Sequence, residues 1–231
     1  MKGSRFAVIG MGKFGRGIAS ILAQRDAEVI AIDTLESKID SIQDEVATAI
    51  TLDATDIKAL QAQNIQDSDA VVVAIGANFE ALLLCCFQLQ ELGTKRIIAR
   101  ANDEMQKSIL LKMGITEILE PEKELGTLVA EKLINPNIVS FLQLPDDYEV
   151  AEVKPPKAIA NRSIKDIGLR SKYRLNLITI KRAFEIEDKD SIRKEDHILG
   201  VPDSETVIRE SDTIIVFGTT ADIKKFIDIN N

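Results

Sequence analysis

Tryptophan is absent from this chain, histidine occurs once, and the two cysteines stand side by side as Cys85 and Cys86. A single histidine, His197, leaves no His/Cys constellation for a metal centre, and no activated nucleophile pattern accompanies it. Adjacent cysteines do not make a disulfide framework, which points to a reducing cytosol. No apolar run approaches the roughly 20 residues that span a bilayer. The segment from Met1 to Gly10 enters a strand at once, so no signal peptide is expected. Basic charge is also short: 29 Lys and Arg stand against 37 Asp and Glu, a net of −8. Non-specific nucleic-acid binding, which needs a basic footprint, is therefore not expected.

Within that acidic chain, Lys154 to Arg182 holds nine basic residues against the single acid Asp166. Such a stretch suits an anionic ligand, or a solvated face paired with the acidic run Glu185 to Asp190.

With 231 residues there is room for two domains. The first 120 residues alternate short apolar runs with helical patterns. Strands are predicted at Phe6–Ile9, Glu28–Ile32, Thr48–Leu52, Ala70–Ile75, Arg96–Ala99 and Glu117–Leu119. Continuous apolar strands between helices specify a parallel sheet covered on both faces. The predicted helix from Phe79 to Leu92 is apolar all round at its centre, so it is buried on more than one side: one against the sheet, the other against a neighbouring subunit. Leu125–Ile134 then reads as a helix, Asn135-Pro136-Asn137 as a breaker, and Ile138–Leu142 as a second short helix. Beyond Pro145, strands at Glu149–Val153, Leu177–Lys181 and Thr213–Phe217 and a helix from Thr220 make a small α+β domain. The expected organisation is a Rossmann-like doubly wound α/β domain over 1–120, crossover helices over 121–145, and a C-terminal α+β domain over 146–231.

Gly10-Met11-Gly12-Lys13-Phe14-Gly15 follows the first strand and opens a helix. Gly10 permits the tight turn, Gly12 lets the backbone approach a phosphate, and Gly15 lets helix pack on strand. The helix N-terminus then offers free N–H groups and the positive dipole end to phosphates. Asp33 ends the second strand, 18 residues after Gly15, where a carboxylate accepts from ribose hydroxyls and repels a 2′-phosphate. Nucleotide binding is the expectation. Catalysis is not, because a dehydrogenase needs a proton donor near the nicotinamide and no candidate is visible.

Together with Ala74-Ile75-Gly76-Ala77-Asn78, Pro121-Glu122-Lys123-Glu124-Leu125-Gly126, Arg170-Ser171-Lys172-Tyr173 and Ile208-Arg209-Glu210-Ser211-Asp212, the glycine motif resembles the RCK (KTN, TrkA-type) regulatory subunits of potassium transporters. A single Rossmann unit per chain resembles the Ktr type within them. The resemblance covers essentially the whole chain. It implies a homo-octameric ring, on the cytoplasmic side of the membrane, bound to an integral membrane potassium-translocating subunit. ATP or ADP, with NAD as a further candidate, would occupy the Rossmann site and change the ring's shape, and Leu125–Leu142 would swap contacts within a dimer. It carries Gly10, Gly12, Gly15 and Asp33 directly onto the nucleotide site. Asn78 is read both as a ligand contact and as the N-cap of the Phe79 helix, Asp53 as a candidate on the same edge, and Arg100 as a phosphate or dimer contact. Glu122 matches a position that ligates a divalent cation, Mg or Ca, and equally suits a first-turn helix acid. Ile164, Arg170 and Asn176 match a cyclic di-AMP site. Lys13 stands where the type usually has arginine, with Phe14 beside it, and Arg16 one helical turn on is read as sharing its phosphate contact or as pointing to solvent. The competing readings are a small NAD-dependent oxidoreductase and a redox-sensing Rossmann protein. The first lacks its acid/base group and the second a basic DNA-reading helix.

Overall fold

Uncharged runs of aliphatic and β-branched residues, too short for helices and bounded by turn formers, build the central strands of the first unit. In the computed structural model, which describes residues 3–188 and 191–230, the chain divides into two units, Met1–Lys123 and Glu124–Asn231. The first alternates strands β1 (Arg5–Ile9), β2 (Glu28–Asp33), β3 (Thr48–Thr51), β4 (Ala70–Val73), β5 (Ile97–Arg100) and β6 (Glu117–Leu119) with helices α1 (Lys13–Gln24), α2 (Glu36–Asp40), α3 (Ile57–Ala62), α4 (Phe79–Glu91) and α5 (Glu104–Lys112). All strand pairs are parallel, in the order β3-β2-β1-β4-β5-β6. The order reverses between β1 and β4, which opens a crevice at the carboxyl ends of the strands.

Side-chain alternation sorts the strands between two cores. Ala7, Ile9, Ile30 and Val71 join Leu82, Cys85, Leu89 and Leu110 on one face. Val8, Val29, Ala31 and Val72 join Ala19 and Ile39 on the other. Helix α4 buries Leu82, Cys85, Cys86 and Leu89, while Leu84 and Phe87 stay 43% and 50% exposed. Its second apolar side is therefore uncovered within the chain. Burial pushes the Cys86 thiol up to about 12 and the Cys85 thiol well above its ordinary value. Both stay protonated and serve as packing residues.

Helix α6 (Pro121–Ile134) runs from the first unit into the second and buries none of its residues. The second unit then carries a five-stranded antiparallel sheet in the order β11-β10-β13-β8-β7. Its strands are β7 (Ile138–Gln143), β8 (Tyr148–Val153), β10 (Asn176–Asp188), β11 (Ser191–Ile198) and β13 (Thr213–Thr219), and β9 (Arg162–Ser163) pairs separately with β12 (Val207–Ile208). Helices α7 (Ile164–Ile167), α8 (Leu169–Tyr173) and α9 (Thr220–Asn230) complete the unit, and Phe226 of α9 is fully buried in its core. The second short helix expected over Ile138–Leu142 is instead β7, paired antiparallel with β8. Ile138 and Val139 are β-branched and stiff at χ1, and Ile138 is buried in the sheet's core. The division between units falls inside α6. The side chains of the acidic run 185–190 lie outside the described residues.

Candidate functional site

A cavity of about 760 Å³ lies at the carboxyl edge of the parallel sheet, and Gly10, Gly12, Asp33, Asp53, Asn78 and Arg100 are among the residues that line it. Gly10 turns the chain at φ +97°, where a Cβ would sit 3.0 Å from the Ile75 nitrogen. At Gly15 an added Cβ would overlap the Gly10 carbonyl oxygen, so only glycine lets α1 approach β1 this closely. At Gly12 the same atom would meet nothing of the protein. Gly12 is the N-cap of α1, with no side-chain cap and no acid in the first turn. The positive end of that helix is left for an anion.

Asp33 is 7% exposed. Its Oδ2 accepts from the Met11 N–H at 2.8 Å and from Lys38 Nζ at 3.0 Å, and its Oδ1 accepts from the Leu35 N–H at 2.9 Å. Burial, the largest single influence, works to raise its pKa. The bonds from Leu35, Lys38 and Met11 together outweigh it and hold the carboxyl below its ordinary value. It is an anion at neutral pH, anchored by backbone, on the wall of a cavity that also meets Thr34 and Lys38. Asp53 is held by the Thr55 N–H and hydroxyl, which lower its pKa. Asn78 both lines the cavity and caps α4, its Oδ1 accepting from the Ala81 N–H at 3.1 Å.

Arg100 ends β5, three strands from β2 and Asp33 in the sheet order, and so lines the cavity on the side away from Asp33. Its guanidinium lies over the Phe14 ring, 5.6 Å from the centroid. A Cβ on Gly76 would sit 2.7 Å from one of its terminal nitrogens. Its Nη2 pairs closely with the Glu122 carboxylate.

The structure thus brings Gly10, Gly12, Asp33, Asp53, Asn78 and Arg100 to one cavity, with Phe14 beneath Arg100 and Gly15 behind the loop. Lys13 and Arg16 are not on its wall. Lys13 is exposed. The Arg16 guanidinium pairs with Glu45 at 2.9 Å, and Glu45 also accepts from the Ser20 hydroxyl. Glu122 is engaged by Arg100, and among the described residues no group of three or more His, Cys, Asp or Glu is placed to hold a metal. Lys38, Glu80 and Thr55 line the cavity without having been read from sequence. Ile164, Arg170 and Asn176 share a separate cavity of about 390 Å³ in the second unit, with Lys165 and Ser171. His197 is half-exposed on β11, edge-on to Phe184.

A parallel sheet with this loop, acid and cavity at its switch point defines a nucleotide-binding protein of the Rossmann class. Residues 6–121 match the TrkA-N domain and residues 149–231 the TrkA-C domain. The chain belongs to the TrkA-type (RCK) family of potassium-uptake proteins. It is 31% identical to Ktr system potassium uptake protein A of Bacillus subtilis (strain 168), over 98% of this chain and 96% of that one. To protein C of the same system and strain it is 30% identical, over 96% and 95%. The solved structure of a GsuK channel bound to NAD shares the fold with a TM-score of 0.63 and 15% identity. The match covers all of this chain but only 40% of that longer one.

Proposed function

We propose that this chain is the nucleotide-sensing regulatory subunit of a potassium uptake system and carries no catalysis of its own. The observation that carries the reading is the cavity at the switch point, with an ionised, backbone-anchored Asp33 at its ribose end and the uncapped α1 terminus beside Gly12. The near full-length likeness to Ktr uptake proteins supports potassium uptake as the process. ATP and ADP are the proposed effectors; NAD, the ligand of the GsuK channel structure, is the third nucleotide to test. The subunit works at the cytoplasmic face, peripheral to the membrane, as a homo-octameric ring on an integral membrane potassium-translocating subunit. Two apolar surfaces left uncovered support assembly. One is Leu84 and Phe87 on α4, and the other is Leu125, Val129 and Leu133, which recur every fourth residue on α6. The second cavity, with Ile164, Arg170 and Asn176, is proposed to take cyclic di-AMP, whose phosphates suit Arg170 and Lys165. A divalent cation, Mg or Ca, beside the phosphates would have Glu122 as its protein ligand once that carboxylate is free of Arg100.

Asp33→Ala tests the site. Calorimetry should show ADP and ATP weakened by about 1.5–3 kcal/mol, the cost of losing charge-assisted hydrogen bonds. Unchanged affinity would remove Asp33 from the site. Light scattering should give the mass of a ring, and purification from membranes should bring an integral membrane partner with it.

A further inference from the structure

Arg100 and Glu122 are an unequal pair. The arginine side chain is 18% exposed and the glutamate 63%. The guanidinium is held between the Phe14 ring beneath it and the Gly76 backbone, which makes room for it, and it faces the open cavity. Its Nε is buried and has no hydrogen-bond partner. A half-buried cation with an unused buried donor, held against a solvent-exposed carboxylate, is an incomplete anion site, because Glu122 satisfies only part of the donor fork. Since Arg100 is pinned and Glu122 is not, the carboxylate is the partner that leaves. Glu122 sits in the first turn of α6, the helix that runs out of the first unit into the second.

We infer that Glu122 is an internal stand-in for a ligand phosphate: a nucleotide's phosphate and the Glu122 carboxylate compete for Arg100, and phosphate binding releases the first turn of α6. The inference rests on the proposed nucleotide site and adds how occupancy is read out. Phosphate oxygens match the planar fork of the guanidinium and carry more charge than a carboxylate, so the exchange favours the ligand. Both partners of the broken pair stay satisfied, since Glu122 already faces water. Release is limited in extent. Lys123 keeps its pairs with Glu104 and Glu120, so the turn loosens without the helix start coming away. The exchange belongs to a nucleotide's phosphates and not to its nucleoside, because Arg100 stands on the far wall of the cavity from Asp33.

Calorimetric titration of the full chain with adenosine, AMP, ADP and ATP in the presence of a chelator tests the exchange. Glu122→Gln removes the competing charge and keeps the side chain's size. The phosphate-bearing nucleotides should then bind at least about fivefold more tightly, with adenosine unchanged. Arg100→Gln should weaken the same nucleotides about tenfold, and in the double variant the gain from Glu122→Gln should vanish. Hydrogen exchange supplies a second readout: ADP should speed exchange across residues 125–128 in the wild type, and Glu122→Gln should show that speed without nucleotide. Should Arg100→Gln fail to fold, the Glu122→Gln arm decides alone, the residue being exposed. If the wild type binds ADP while Glu122→Gln binds it no better, or if the gain persists without Arg100, the exchange is wrong and the nucleotide site stands. If no adenine compound binds the wild type, the site reading fails and the exchange fails with it.

Discussion

Glu149 is the least comfortable side chain of the second unit. It is 3% exposed, its Oε2 accepts from the Thr220 hydroxyl at 3.2 Å, and its Oε1 has no partner among the described residues. Burial pushes its carboxyl above the ordinary 4.5 and the nearby Glu131 adds to the rise, against the Thr220 hydrogen bond and Lys224. The folded state therefore binds this proton more tightly than the unfolded chain does. Its contribution to stability is complete below the unfolded value and is lost as pH rises through the raised folded value. Denaturant titrations between about pH 4 and pH 8 should show the second unit weakening with pH, and Glu149→Gln should flatten that slope and be the more stable at neutrality. A slope unchanged by the substitution would assign the pH dependence elsewhere. The cavity residues were more legible than this one. Asp33, Asp53, Asn78 and Arg100 each follow or end a strand of a parallel sheet, and that position alone puts them on the ligand edge. Lys38 was not legible, because it lies on a five-residue helix with no pattern to aim it. Nor was the Arg16–Glu45 pair, which joins residues 29 apart in sequence.

At the scale of elements, α4 reads from sequence as apolar on all sides, and its two faces now have separate tests. Leu82 is 1% exposed in the core, whereas Leu84 is 43% exposed and borders the cavity. Leu82→Ala should cost about 2–5 kcal/mol of stability through the cavity it leaves. Leu84→Glu should melt within a few degrees of the wild type, the range for a surface change, yet scatter light as a smaller assembly. A folded, still fully assembled Leu84→Glu variant would show that this face meets no other subunit. The segment after α6 shows what local pattern leaves open. Ile138-Val139-Ser140-Phe141-Leu142 is a short apolar run, compatible with a helix or a buried strand by periodicity alone. Its pairing with β8 decides the matter, and that contact is made across the turn at 144–147. The partner strand β11 was not foreseen either, since Ser191–Ile198 is mostly polar and is a strand because β10 pairs with it.

Across the whole molecule, the two units keep separate cores. A ligand held by the first should then stabilise that unit and leave the core of the second alone. At a nucleotide concentration 100 times its Kd, linkage supplies about 2.7 kcal/mol. Calorimetric melting of the full chain should show two transitions, one of which moves up with ADP. Equal movement of both would mean that the units unfold as one.

Helix α6 has a consequence for how the molecule is made. It buries none of its side chains, and Leu133 and Ile134 are 76% and 69% exposed. A copy newly released from the ribosome thus shows these apolar side chains to water, α6 being tied to its own chain through ion pairs such as Glu131 with Lys224. If the proposed ring covers them, its safety would depend on how soon a sister copy arrives, with dilution the hazardous condition and crowded polysomes the protective one. Scarce chains would be handed to chaperones or proteases, and abundance would climb more steeply than message as copies begin to find each other.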